Sequence, residues 1–176
     1  MSADFTVRRA RPADARLLAE LRWTFKQEDH EGRPPAPARP LEEAERWIGD
    51  RLRDGRWLAW VAEAEQDICG HVFLCPVERI PEPYGDTTPV GYVTNFFVTP
   101  SQRNRGIGSA LLEALQRHAR GAGFDTLVVW PSERSSPLWR RSGFESPEEL
   151  LELPLVPGGN SSPRTTVFHG KDERRK

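Results

Sequence analysis

Hydrophobic and polar positions alternate over Phe5-Thr6-Val7-Arg8-Arg9-Ala10, which predicts a first strand. Arg11-Pro12-Ala13-Asp14 then opens a helix, with Pro12 in its first turn. Leu17, Leu18, Leu21 and Phe25 recur at helical spacing and predict its buried stripe. Glu28-Asp29-His30-Glu31-Gly32 ends it. Four prolines between Arg33 and Pro40 make that stretch a loop. A second helix is predicted over 41–53, with Leu41, Ala44, Trp47, Ile48 and Leu52 facing inward and Asp54-Gly55 as its stop.

Residues 57–64 and 68–77 read as two antiparallel strands, joined by a turn at Glu65-Gln66-Asp67. Residues 78–89 form a long, Pro-rich connection of the kind that often serves function. Residues 90–98 have little polar content and predict a central strand. A loop over 100–105 leads into a helix that runs to about Arg120 and stops at Gly121-Ala122-Gly123. A strand over 126–130, a short helix over 135–142 and a last strand over 150–156 complete the pattern. This order predicts one α/β domain with a mixed sheet over 1–156. Residues 157–163 read as a linker, and 164–176 as a polar tail or, through Thr165 to Phe168, an edge strand.

Composition narrows the class. A chain of 176 residues fits one domain, and 37% hydrophobic with 29% charged residues is ordinary for a globular protein. The formal net charge of -1 supplies no basic field for a nucleic-acid partner. No apolar run is long enough to span a membrane, and Met1-Ser2-Ala3-Asp4-Phe5 lacks a signal-peptide pattern, so a cytoplasmic location is expected. Cys69 and Cys75 are too few for a disulfide framework and read as free thiols. His30 reads as a surface loop residue, and His71 and His118 as structural; their spacing predicts no metal site. Most tryptophans read as core, with Trp23 a candidate for lining a pocket.

The most informative segment is Val98-Thr99-Pro100-Ser101-Gln102-Arg103-Asn104-Arg105-Gly106-Ile107-Gly108-Ser109-Ala110-Leu111-Leu112. A buried strand ends, a loop turns, and two glycines open an amphipathic helix. Backbone N–H groups in a first helical turn lack internal partners and suit an anion. Gly106 and Gly108 remove the Cβ atoms that would keep a phosphate away, and Arg103 and Arg105 add charge. A Walker A loop requires a lysine that is absent, and a dinucleotide fingerprint requires a third glycine where Leu111 stands. The chemistry implied is a diphosphate across the helix start.

Arg103-Asn104-Arg105-Gly106-Ile107-Gly108 resembles the R/Q-x-x-G-x-G/A signature of the GNAT superfamily of N-acetyltransferases. Trp139-Arg140-Arg141-Ser142-Gly143-Phe144 stands where family members often carry Y-x-x-x-G-F, and the element order agrees from Phe5 to Val156. The resemblance implies a GNAT-like, mostly antiparallel central sheet flanked by helices, with a splayed central strand pair. It implies acetyl-CoA as acyl donor, no metal, and a diphosphate held by N–H groups of Arg103, Arg105, Gly106, Ile107, Gly108 and Ser109. The pantetheine arm would pair as a pseudo-strand with backbone groups of Phe96, Phe97 and Val98. A bulge near Asn95-Phe96 would make room for it, with an N–H near Phe96 polarising the thioester carbonyl. Ser132 stands where many members hold an asparagine near the cofactor.

Two departures matter. Trp139 replaces the tyrosine that often protonates the leaving thiolate, and an indole donates but is no acid at neutral pH. Ser135, Ser136, Tyr92 or a water are the alternatives, with Trp139 left as a wall of the cofactor channel. Tyr92 also occupies the strand position of the glutamate that many members use as base. Glu28, ahead of Asp29, is then the candidate general base.

The expected reaction is direct attack of a primary amine on the thioester. Glu28, Asp29, Glu31, Glu82 and Asp86 fall in segments expected near the acceptor and would attract a small cationic amine. Nucleic acid and membrane are not expected partners, and a homodimer is compatible with the sequence. The alternatives are a protein lysine or N-terminal acetyltransferase and a non-catalytic acyl-CoA-binding module.

Overall fold

A computed structural model describes residues 4–29, 39–132, 134–148, 150–153 and 155. These fall into two compact units, divided after Trp130. In the first unit, β1 (Phe5–Arg9), α1 (Ala15–Asp29), α2 (Arg39–Asp54), β2 (Leu58–Ala64), β3 (Asp67–Val77), β4 (Val90–Val98), α3 (Ile107–Gly121) and β5 (Thr126–Val129) follow in chain order. The five strands form one sheet in the order β1-β2-β3-β4-β5. The pairs from β1 to β4 are antiparallel, and β5 runs parallel to β4. This is the mixed, mostly antiparallel sheet read from the sequence, and most of its elements lie within a residue or two of the predicted bounds.

Helices α1 and α2 cover one face. Ala15, Leu18, Ala19 and Ile48 pack there against Ala59, Val61 and Phe73. Helix α3 covers the other face. A Cβ on Gly70 would meet Leu111 Cδ1 at 3.3 Å, so β3 and α3 approach closely there because residue 70 has no side chain. Arg8 ties β1 to its neighbours, donating to Asp14 at 2.8 and 2.9 Å and to Glu63 at 2.6 and 2.9 Å.

Three predictions need correction. Leu17 is 47% exposed, because the buried stripe of α1 runs through Ala15, Leu18 and Ala19 instead. Trp47 is 44% exposed; it leans on Trp57 rather than entering the core. The strand predicted over 150–156 is not formed in its described residues. Its alternating leucines pair with no strand there, and proline lacks the N–H that a ladder requires. The tail strand predicted through Thr165 to Phe168 lies outside the described residues. Among the described residues, no helix is long and apolar enough to cross a membrane.

Candidate active site

The site begins with an irregularity in β4. His71 pairs with Phe97 and Phe73 with Thr94, so β4 advances three residues where β3 advances two. The extra residue is the bulge read near Asn95-Phe96, and Asn95 takes a left-handed φ of 48° to make it. Pairing of β4 with β5 runs only from Val90 to Val93. Beyond Val93, β4 continues for five residues, Thr94 to Val98, with no β5 partner. β5 ends at Val129, opposite Val93, so among the described residues no strand pairs with Thr94 to Val98 on that side of β4.

The strand delivers the chain to a tight loop at the same end. A 3-10 turn, Pro100–Gln102, is followed by Asn104 at φ 62° and Gly106 at φ 84°. Gly106 is the N-cap of α3, and no side chain caps the helix. The first intrahelical bond runs from Ala110 N to Gly106 O at 3.0 Å, so the N–H groups of Ile107, Gly108 and Ser109 precede the helical ladder. Ile107 is 1% exposed and anchors the turn, whereas Ser109 is exposed. A Cβ on Gly106 would meet no atom within 4 Å. That geometry suits an anion, as amide groups and the helix dipole converge there.

The two arginines of the loop are placed differently. The Arg105 side chain is exposed and donates to Gln102. The Arg103 guanidinium is held by β4 and α1: its Nε donates to Val98 O at 2.9 Å, and its Nη2 donates to both carboxylate oxygens of Glu28 at 2.8 and 3.0 Å. It also lies over the Phe97 ring at 5.6 Å. Glu28, the last residue but one of α1, is thus ion-paired with the loop before α3. This pair was not legible in the sequence, since 75 positions separate its members.

Tyr92 lies on the α1/α2 face of β4, and its hydroxyl donates to Thr94 Oγ1 at 3.2 Å. Its ring meets Trp130 at 5.1 Å and Trp57 at 6.5 Å. Trp57 in turn meets Trp47 at 5.3 Å. The sequence reads most tryptophans as core and Trp47 as facing inward, and it singles out neither Trp57 nor Trp130. The signal that could have found them is that Trp57 and Trp130 each stand one residue outside a strand, where a ring escapes full burial. Of the acidic residues expected near the acceptor, Glu82 and Asp86 are exposed on the β3–β4 connection. Glu31 lies outside the described residues. Among the described residues, no group of His, Cys, Asp and Glu could hold a metal ion.

Ser132, Ser135 and Trp139 lie in the second unit. The Ser132 and Ser135 hydroxyls are 2.9 Å apart at the start of α4 (Ser136–Arg141). Trp139 is 3% exposed and meets Phe144 edge-on at 5.1 Å.

The profile of the acetyltransferase (GNAT) family matches residues 16–144. The chain belongs to the GNAT family. It is similar to an aminoglycoside N(6')-acetyltransferase type 1 from Stenotrophomonas maltophilia, 30% identical over 160 residues that cover 86% of this chain and 95% of that one. A glucosamine 6-phosphate N-acetyltransferase from Trypanosoma brucei brucei is 33% identical over 66 residues, 38% of this chain and 45% of that one. The crystal structure of a predicted acetyltransferase with acetyl-CoA from Clostridium acetobutylicum superposes with a TM-score of 0.70 at 26% identity, covering 86% of this chain and 96% of that one. This GNAT chain is accordingly an N-acetyltransferase, and its family implies acetyl-CoA as donor. Its bulged β4 and glycine-opened α3 are the features that the family resemblance led one to expect.

Proposed function

We propose that this enzyme transfers the acetyl group of acetyl-CoA directly to a primary amine of a small cationic molecule. One observation carries the reading: the uncovered edge of β4 beyond Val93 and the uncapped start of α3 lie at the two ends of a single short segment, Thr94 to Gly106. A strand edge suits the amide-bearing pantetheine arm, and helical N–H groups suit a diphosphate. Both are parts of one acyl-CoA. Phe96, Phe97 and Val98 are assigned to the arm through their main chain. Arg105, Gly106, Ile107, Gly108 and Ser109 are assigned to the diphosphate.

Acetyl-CoA supplies the activated thioester. The amine nitrogen forms a bond to the acetyl carbon, the carbon–sulfur bond breaks, and the thiol leaves with the proton that the amine gives up. The main-chain N–H of Phe96, at the bulge, is assigned to the thioester oxygen as charge develops on it. The Tyr92 hydroxyl is assigned to orienting the amine. Glu28 is assigned to holding α1 against the β4–α3 loop, because both of its oxygens already accept charge-assisted hydrogen bonds from Arg103. Two relatives named for amino-sugar substrates, an aminoglycoside and glucosamine 6-phosphate, support a small polar amine.

Incubating the full chain with acetyl-CoA and a panel of amines, while following free thiol, tests this. Thiol release that depends on a small amine is the expected result. Binding of acetyl-CoA with no release on any amine or peptide would instead identify a non-catalytic acyl-CoA-binding module. Turnover of peptides alone would identify a protein acetyltransferase.

A further inference from the structure

We infer that the acceptor amine is carried on a ring, and that the ring is held by an aromatic floor formed by Trp57, Tyr92 and Trp130 and extended by Trp47. The inference rests on the acetyltransferase reading above and names the substrate class of that same site.

The floor follows from strand register. Side chains two apart share a face of a sheet, so Phe73, Cys75 and Val77 on β3 lie with Tyr92 and Thr94 on β4. Cys75 pairs with Tyr92, and Tyr92 with Val128, so these three make one rung across the sheet. Phe73 belongs to the core beneath α1 and α2, which fixes this as the α1/α2 face. Those helices bury β2 and β3 where Ala59, Val61 and Phe73 lie, but the rung beyond them is left half open. Val77 is 46% exposed and Trp130 51% exposed.

Four rings run along this opening. Trp47 to Trp57, Trp57 to Tyr92 and Tyr92 to Trp130 are each edge-to-face, at interplanar angles of 69°, 75° and 67°. Edge-to-face contacts fix the rings relative to one another. A ring that only fills a core is buried, whereas a row of mutually fixed rings with exposed ends offers a preformed apolar surface. Trp47 already carries the Arg51 guanidinium over its ring at 5.5 Å, so Trp130 is the exposed platform.

The polar end of the floor lies towards the β4 bulge. The Tyr92 hydroxyl is bonded to Thr94, and the next residue, Asn95, begins the bulge. A ring resting on Trp130 and Tyr92 brings its amine towards these hydroxyls and the β4 edge proposed for the donor. The floor residues Trp57, Cys75, Tyr92, Thr94, Val128 and Trp130 include no carboxylate. On that apolar floor a ring gains stacking area on an indole, which a linear polyamine does not.

The experiment compares glucosamine, phenethylamine, putrescine and a lysine-containing peptide as acceptors for the full chain, with thiol release as readout. The expected result is that one or both ring amines exceed putrescine and the peptide in kcat/KM by about tenfold or more. Glucosamine against phenethylamine separates a saturated from an aromatic ring. Trp130→Ala should raise KM for the ring amine by about fivefold to tenfold and leave KM for acetyl-CoA unchanged. Trp130→Phe should restore most of the loss. Circular dichroism of both variants should match the parent, since Trp130 is exposed. Equal turnover of ring and linear amines, or a Trp130→Ala loss that is the same for every amine, overturns the inference and leaves the acetyltransferase reading intact. No turnover on any amine overturns both.

Discussion

Glu28, one residue from the end of α1, accepts two hydrogen bonds from Nη2 of Arg103, at 2.8 and 3.0 Å. The same guanidinium donates to Val98 O from Nε and covers the Phe97 ring. One side chain therefore joins the end of α1, the last residue of β4 and the loop that enters α3. Arg103 matches the first position of the family signature, yet its guanidinium braces the loop against Glu28 and Val98. What reaches the diphosphate from this stretch, in our reading, is main chain and Arg105.

A brace and a base respond differently to substitution. Removing a general base costs about 10²–10⁴ in kcat. Glu28→Gln keeps the shape and one acceptor, so kcat should stay within about threefold, the pH profile should keep its shape, and stability should fall by roughly 1 kcal/mol. Arg103→Ala also frees Val98 O and should raise KM for acetyl-CoA more than Glu28→Gln does. Steady-state kinetics from pH 6 to 9 would check this. A hundredfold loss of kcat in Glu28→Gln, with an altered pH profile, would return Glu28 to the role of base.

Local chemistry explains what the sequence could reveal. Strand β4 was readable because Val90 to Val98 is nearly all apolar between two proline-containing loops. The α3 start was readable because two glycines and an uncapped helix are adjacent in the chain. The Glu28–Arg103 pair was not, because it joins residues brought together only by packing. Trp47 and Leu17 misled because apolar spacing identifies a helical face but not how far the neighbouring helix covers it. The strand read at 150–156 misled because alternation states which side chains would share a face, not whether a partner strand is present.

The turn between β2 and β3 is strained. Ala64 pairs with Asp67, so the loop has two residues, and Glu65 and Gln66 have φ of 53° and 72°. A two-residue turn with positive φ at both places is of type I′, where Asn-Gly is favoured. Replacing Glu65-Gln66 by Asn-Gly should stabilise the protein by about 1 kcal/mol, a rise in Tm of about 2–4 °C. Thermal melting checks this, and a fall in Tm would show that these side chains make contacts worth more than the strain.

His71 sets a pH dependence. It is fully buried on β3 between Phe73 and Phe97, and neither ring nitrogen has a hydrogen-bond partner among the described residues. Burial, reinforced by the charge of Arg22, pushes its pKa down to about 3 from 6.5. The folded state thus holds His71 neutral while the unfolded chain takes up a proton below 6.5. Above that value His71 has no pH effect. As pH falls from 6.5 towards 3, stability should drop by up to about 1.4 kcal/mol per unit from this group. Burial also lowers the pKa of His118, which adds in the same direction. Urea unfolding at pH 7 and pH 5 should show the loss, and His71→Leu should flatten the slope by about one proton. An unchanged slope in that variant would assign the acid sensitivity elsewhere.

Gly106 separates fold from ligand. Its φ of 84° favours glycine, but an added Cβ would touch no atom within 4 Å. Gly106→Ala should therefore cost only the strain of a left-handed residue, about 1–2 kcal/mol, with the fold retained. Any steric clash must then come from outside the protein. If the diphosphate lies against the start of α3, calorimetry should show affinity for CoA reduced by about tenfold or more, while Tm falls by only a few degrees. Gly108→Val, two residues further on, should weaken binding more strongly. Parent-like CoA affinity in both variants would place the diphosphate away from these amides, and the proposed donor site would fail with it.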